Sequence, residues 1–247
     1  MKVSIITPTY NSEKYIEDCI KSVILQDYQN IEYIIVDGNS TDGSLNIINK
    51  YKSKIQIIIS EPDSGIYEAI NKGILNATGD IIGILNSDDY FISSNVISTI
   101  VKKFAQTNTS IILANINYVN NDGVIKRKYS IKYFKPWMFR FGFQPAHPAF
   151  YSYKTNYLKY GLYNTNYKIS SDFDLMLNFI LLNKIKYSYL DETIINMRLG
   201  GISNKNFKNK IVLNNEILHS LNKNKIFSNI FFIYSKYLFK WVSFIFK

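Results

Sequence analysis

The stretch Asp80-Ile81-Ile82-Gly83-Ile84-Leu85-Asn86-Ser87-Asp88-Asp89-Tyr90 decides how the chain is read. A short Ile-rich run, entered through Ala77-Thr78-Gly79, has the continuous apolar character of a strand buried on both faces. It ends in two adjacent carboxylates, and a helical pattern follows at Val96, Ile97, Ile100, Val101 and Phe104. Two acids at the tip of a buried strand are costly to hold together unless a cation neutralises them. A hard divalent metal that takes oxygen ligands and also grips phosphates is the simplest such cation. The plain alternative is a polar turn ahead of a helix starting at Ser93 or Ser94.

The flanking chain favours the first reading. Val3 to Thr7 forms a strand stopped by Pro8, and the helix after it shows Ile16, Cys19, Ile20 and Val23 on one face. Ile31 to Val36 is a second apolar run, closed by Asp37-Gly38-Asn39-Ser40-Thr41-Asp42-Gly43. Ile55 to Ile59 is a third, followed by Glu61-Pro62-Asp63-Ser64-Gly65 and a helix from Ile66 to Leu75. Strands and helices alternate with short connections, which makes the first hundred residues a parallel α/β sheet. Ligands of such sheets bind beyond the carboxyl ends of the strands. Turn chemistry explains Gly38 and Gly43, but not an acid after three different strands at one rim.

With 247 residues, 47% of them hydrophobic, the chain can bury a substantial core. The single cysteine, Cys19, rules out an internal disulfide framework and fits a reducing compartment. The opening residues lack a secretory pattern, so a cytoplasmic location is expected. The net charge of +10 is uneven. Residues 1–125 carry 14 Asp/Glu against 9 Lys/Arg, and residues 126–247 carry 5 against 20. A basic second half suits nucleic acid, anionic lipid or a phosphorylated substrate.

Four segments together carry a resemblance: Thr-Pro-Thr-Tyr-Asn at 7–11, Val-Asp-Gly-Asn-Ser-Thr-Asp-Gly at 36–43, Glu-Pro-Asp-Ser-Gly-Ile-Tyr-Glu-Ala-Ile-Asn-Lys-Gly at 61–73, and Asn-Ser-Asp-Asp at 86–89. In this order and spacing they resemble the family 2 glycosyltransferases. The resemblance implies a GT-A fold, with a mostly parallel nucleotide-binding half fused to an acceptor half. It further implies a nucleotide-diphosphate sugar donor, with UDP the expected nucleotide, a Mn²⁺ or Mg²⁺ ion, and inversion at the anomeric carbon. Matched position by position, Pro8 and Tyr10 border the base, Asp37 accepts a hydrogen bond from it, and Asp63 contacts the nucleoside. Ser87-Asp88-Asp89 takes the place of the family's Asp-x-Asp, with Ser87 in place of the first acid. That leaves Asp89 as the direct metal ligand and Asp88 near the ribose or donor sugar. Lys72 is a candidate to neutralise the diphosphate, or a solvated helix lysine.

Residues 1–105 are thus read as the nucleotide-sugar half and 106–205 as the acceptor half of one transferase domain. A hairpin is expected to turn at Asn120-Asn121-Asp122-Gly123. His147, between prolines, is a candidate for diphosphate or acceptor contact, or a structural histidine. Ser171-Asp172-Phe173-Asp174 opens a helix, and Ser171 with Asp174 fits a capping box. Asp172 then lies where the helix dipole favours a negative carboxylate. The resemblance makes Asp172 the general base, although Ser171 replaces the first acid of the family's pair. Met197 to Ser203 resembles a loop of capsule- and O-antigen-type members.

Residues 206–247 form a basic, aromatic helical tail. From Ile226 a stripe of Lys225, Asn229, Lys236, Lys240, Ser243 and Lys247 follows a helical period, with an aromatic and aliphatic face opposite. Such a helix is expected to lie on an anionic membrane surface rather than span it, placing the protein at the inner face of the cell membrane. A core helix or a homodimer seam is the alternative. The expected acceptor is a lipid-linked saccharide in surface polysaccharide assembly. Two rival readings lack their sequence signatures. A nucleotidyltransferase on a similar sheet would carry a Gly-rich basic loop after its first strand, which Pro8-Thr9-Tyr10-Asn11 does not provide. A nucleic-acid-binding protein would show a recognised module, and none is visible, so no nucleic-acid partner is expected.

Overall fold

The computed structural model describes residues 1–200 and 207–245, with side chains described as far as Tyr237. Four parallel strands order the first half: β1 (Val3–Thr9), β2 (Ile31–Asp37), β3 (Ile57–Ser60) and β4 (Ile81–Ile84). They lie in the order β3-β2-β1-β4, the crossover pattern expected when helices link parallel strands. Alternate side chains feed two cores. Ile6, Ile34, Val36, Ile82 and Ile84 pack against Ile70 and Ile74 of one helix (Ile66–Asn76). Val3, Ile5, Ile35 and Ile81 pack on the other face against Ile16 and Ile20 of α1 (Ile16–Ile24). That second face also holds Ile48 of α2 (Ser44–Lys50), and Ile97 and Ile100 of a later helix (Val96–Gln106). We number the Ile66–Asn76 helix α3 and the Val96–Gln106 helix α4.

The second half extends the same sheet. After the short β5 (Tyr90–Phe91) come β6 (Ile111–Val119) and β7 (Ile125–Tyr129), the expected hairpin. Next come β8 (Phe150–Tyr153), α5 (Lys154–Tyr160) and α6 (Ser171–Met176), then β9 (Tyr187–Arg198). β8 pairs antiparallel with both β4 and β6, so one nine-stranded sheet crosses the two halves. β9 runs parallel to β6 and antiparallel to β5, which brings its last residue, Arg198, beside the Asp88-Asp89 turn. This is the GT-A arrangement of a curled α/β sheet.

Two helices complete the described chain, α7 (Phe207–Lys223) and α8 (Ile230–Ile245). Ile217 and Leu221 of α7 and Ile233 of α8 are buried in the first core. The tail therefore packs on the domain at least as far as Tyr237. Part of the Met197–Ser203 loop lies outside the described residues. Among the described residues no helix is long and apolar enough to cross a membrane.

Candidate active site

A cleft of about 960 Å³ opens where the carboxyl ends of β1, β2 and β4 meet the second half. From the first half it is lined by Pro8, Tyr10, Gly38, Asp63, Ser87 and Asp88, and from the second by Gln144, His147 and Asp172. Seven of the ten residues picked from sequence thus share one cavity.

Three do not, and each has a physical reason. Asp37 is fully buried beneath the rim, where Ser40 and Ser60 occupy it. It accepts from the Ser40 amide at 3.1 Å, the Ser40 hydroxyl at 2.5 Å and the Ser60 hydroxyl at 2.8 Å. It holds the loop and does not line the cleft. The next residue, Gly38, lines the cleft instead, and Asp63 fills the space beside it. A Cβ on Gly38 would stand 2.6 Å from Asp63 Oδ2. The carboxylate that lines the cleft beside Gly38 is therefore Asp63, anchored by the Gly65 amide at 2.9 Å and shifted upward by burial.

Asp89 is likewise buried and does not line the cleft. Its Oδ1 accepts the backbone N–H of Arg198 at 3.1 Å. Asp88, assigned from sequence to the sugar side, is the acid of the pair that faces the cavity. Both carboxyls are shifted upward by burial, and Asp89 also by the charge of Asp88. Lys72 also lies outside the cleft. Its ammonium pairs with Glu61 at 2.9 Å and Glu68 at 3.1 Å and donates to the Pro62 carbonyl at 3.0 Å. It braces the loop that carries Asp63.

Among the described residues no group of three or more His, Cys, Asp or Glu could cage a metal. What the cleft offers is two oxygens at i and i+2. The Oδ1 of Asn86 is buried without a hydrogen-bond partner, and the Asp88 carboxyl is raised by desolvation. Both would be relieved by a hard cation, so the residues present fit a divalent ion completed by ligands from the substrate.

Asp172 projects from the first turn of α6. Gln144 Nε2 donates to its Oδ2 at 2.6 Å, and the Phe173 amide to its Oδ1 at 2.9 Å. The helix dipole was expected to keep this acid weakly basic. Burial outweighs it and pushes Asp172 up to about 6, although the two bonds pull the other way. The expected capping box is absent: the Ser171 hydroxyl is buried without a partner, and Asp174 accepts from Ser220. Glu216 of α7 instead ties down the segment leading into α6, accepting from the amides of Lys168, Ile169 and Ser170 at 2.8 to 3.0 Å. His147 bonds the Tyr163 hydroxyl at 2.8 Å, and burial lowers it to about 4, so it is neutral at pH 7.

Two arginines escaped the sequence reading. Arg198 is buried between the rings of Tyr15 and Tyr90 at 4.8 and 4.7 Å. It donates to the Asp88 carbonyl at 2.8 Å and to Asp18 at 2.6 Å, fixing the acidic turn from outside. Arg127 stacks 4.4 Å over Tyr118, and both line the cleft. Their signal, an Arg beside aromatics at a strand end, is too common to single out.

Residues 4–168 match the family described as "Glycosyl transferase family 2". The chain belongs to that family. It is 34% identical to glycosyltransferase GlyG of Streptococcus pneumoniae over 125 residues, which cover 49% of this chain and 41% of GlyG. The chain spans well under half of that relative's length. The structure of Staphylococcus aureus TarS 1–349 in complex with UDP superposes with a TM-score of 0.68 at 21% identity, covering 90% of this chain and 65% of that one. The mannosyltransferase PcManGT of Pyrobaculum calidifontis, in complex with GDP-Man and Mn²⁺, gives 0.66 at 16% identity, with 90% and 64% covered. Both likenesses support the GT-A fold of this chain.

Proposed function

We propose that this transferase moves a sugar from a UDP-sugar to a hydroxyl of a saccharide acceptor, inverting the anomeric carbon, with a divalent ion at Asp88 and Asp172 as general base. The observation that carries this reading is that Asp88 and Asp172, contributed by different halves, open onto one cavity large enough for donor and acceptor. Asp172 takes the acceptor proton as the hydroxyl oxygen forms its bond to the anomeric carbon and the nucleotide diphosphate departs from the opposite face. Gln144 holds the receiving carboxylate in place. Asp88 and Asn86 would hold the metal, which when bound offsets charge on the departing diphosphate. The two halves keep the reactants in line, which supplies much of the rate. Solved structures holding UDP or GDP-Man with Mn²⁺ support the donor class and the ion.

Asp63 favours uracil, or guanine with its own ring N–H, over cytosine. An ionised carboxylate only accepts hydrogen bonds, and uracil offers an N3–H donor where cytosine presents a bare nitrogen. The lipid-linked acceptor of a surface polysaccharide rests on the basic second half.

The test is sugar-nucleotide turnover with Mn²⁺ or Mg²⁺ across UDP-, GDP- and CDP-sugars, with the product anomer read by NMR. A UDP-sugar should be consumed with inversion, and Asp63→Asn should weaken UDP about tenfold while narrowing its margin over CDP. Equal use of CDP-sugars by the wild type, or a retained anomer, would contradict the reading.

A further inference from the structure

Helix α8 turns a polar side chain inward and apolar ones outward. Lys236, expected on a water-facing stripe, is 5% exposed and lines the cleft beside Gly142, next to the fully buried Ile233. The opposite face and the turn before it show Phe231 81% exposed and Phe227 69% exposed, with Ile230 and Tyr234 also exposed. A helix packed on a domain and bathed in water has the reverse polarity.

The exposed face does not end with the helix. The 3-10 turn Pro136–Phe141 lies against it, and an unbroken row of rings joins them. Trp137 meets Phe141 at 5.9 Å, Phe141 stacks on Phe232 at 4.9 Å, and Phe232 meets Phe227 at 5.9 Å. The Ser228 hydroxyl donates to the Arg140 carbonyl at 2.7 Å, locking turn to helix. Tyr133 (82% exposed) and Trp137 (57%) continue the surface.

Its charged side chains are basic. Lys132, Lys135, Arg140, Lys223 and Lys225 are all exposed, and the sequence has no acid between residues 132 and 143 or after Glu216. One acid from elsewhere reaches the region: Asp191 pairs with Lys132 at 3.3 Å. A symmetric contact with a second copy would set this cationic rim against itself. Exposed aromatics flanked by bases match the headgroup layer of an anionic bilayer, which takes rings at its interface and attracts Lys and Arg.

We propose that the face formed by residues 133–141 and 227–234 seats the protein on an anionic membrane surface. Gly142, Phe143 and Lys236 join this face to the cleft, so its acceptor side opens beside the bilayer. The seating stands apart from the transfer chemistry, and its test needs no turnover.

The full chain is mixed with vesicles of phosphatidylcholine alone or with about one-third phosphatidylglycerol, and the bound fraction is read by sedimentation. Binding should require phosphatidylglycerol and fall about tenfold when NaCl is raised to about 0.5 M. The double variant Trp137→Ser, Phe231→Ser, altered only at exposed sites, should bind at least about tenfold more weakly. Its melting temperature and UDP affinity should stay those of the wild type, which separates lost seating from lost folding. Equal binding to both vesicles, no binding, or an unaffected double variant overturns the proposal. So does a dimer, seen by light scattering, that Phe231→Ser dissociates.

Discussion

At the amino ends of β1 and β2 a buried carboxylate is surrounded by donors, whereas in and beside the cleft at the opposite rim the carboxylates, Asp37 apart, are left short of them. Glu32 is bonded by the Lys2 ammonium at 2.7 Å, the Ser4 hydroxyl at 2.6 Å, the Thr78 amide at 2.7 Å and the Thr78 hydroxyl. Burial alone would raise it, but these bonds win and hold it down at about 2. Asp63, Asp88, Asp89 and Asp172 have fewer partners, and burial wins, raising all four. The contrast separates scaffold from site. A carboxylate satisfied within the fold stabilises it; one left wanting is available to a cation, a base N–H or a proton in transit.

The comparison can be broken first at the acidic turn. Asp88→Ala should cut divalent-dependent UDP affinity by about 100-fold, measured by calorimetry with and without Mn²⁺. Asp89→Leu should keep most of that affinity and instead lose about 1 to 2 kcal/mol of stability, because the buried Arg198 amide is left without its acceptor. Reversed outcomes would return the metal to Asp89.

A stability effect of similar size, with no effect on UDP affinity, is expected at the opposite end. Glu32→Gln should cost about 1 to 3 kcal/mol at pH 7 by chemical denaturation, without changing UDP affinity. The folded value is depressed, so this stabilisation is complete above the ordinary glutamate range near 4.5 and fades as pH falls toward about 2. The gap between wild type and variant should close over that window. A gap that widens on acidification would mean that Glu32 is not the satisfied group described.

The strand-helix alternation of the first hundred residues was legible because its apolar runs are long and its turns carry Gly, Pro and Asx at the expected points. The β6–β7 hairpin was legible for the same reason. β9 was not, since its twelve residues mix polar and apolar types without strict alternation. The rim was legible too, but not which acid of a neighbouring set faces inward. Asp37 against Gly38, and Asp88 against Asp89, differ by one residue, and the turn after each strand decides which side chain reaches the cleft. Glu216 holding the entry to α6 from 46 residues away depends on tertiary packing, which local patterns do not carry.

The central claim is that Asp172 removes the acceptor proton, and the pH dependence of kcat/KM tests it most directly. Turnover should be full above about pH 7 and fall about tenfold per unit below about pH 6, as Asp172 gains the proton it must lack to act. Asp172→Asn should bind UDP like the wild type and lose about a thousandfold in transfer, with the limb near pH 6 gone. An Asn variant that retains most of its turnover, or that keeps the same acid limb, would contradict the assignment.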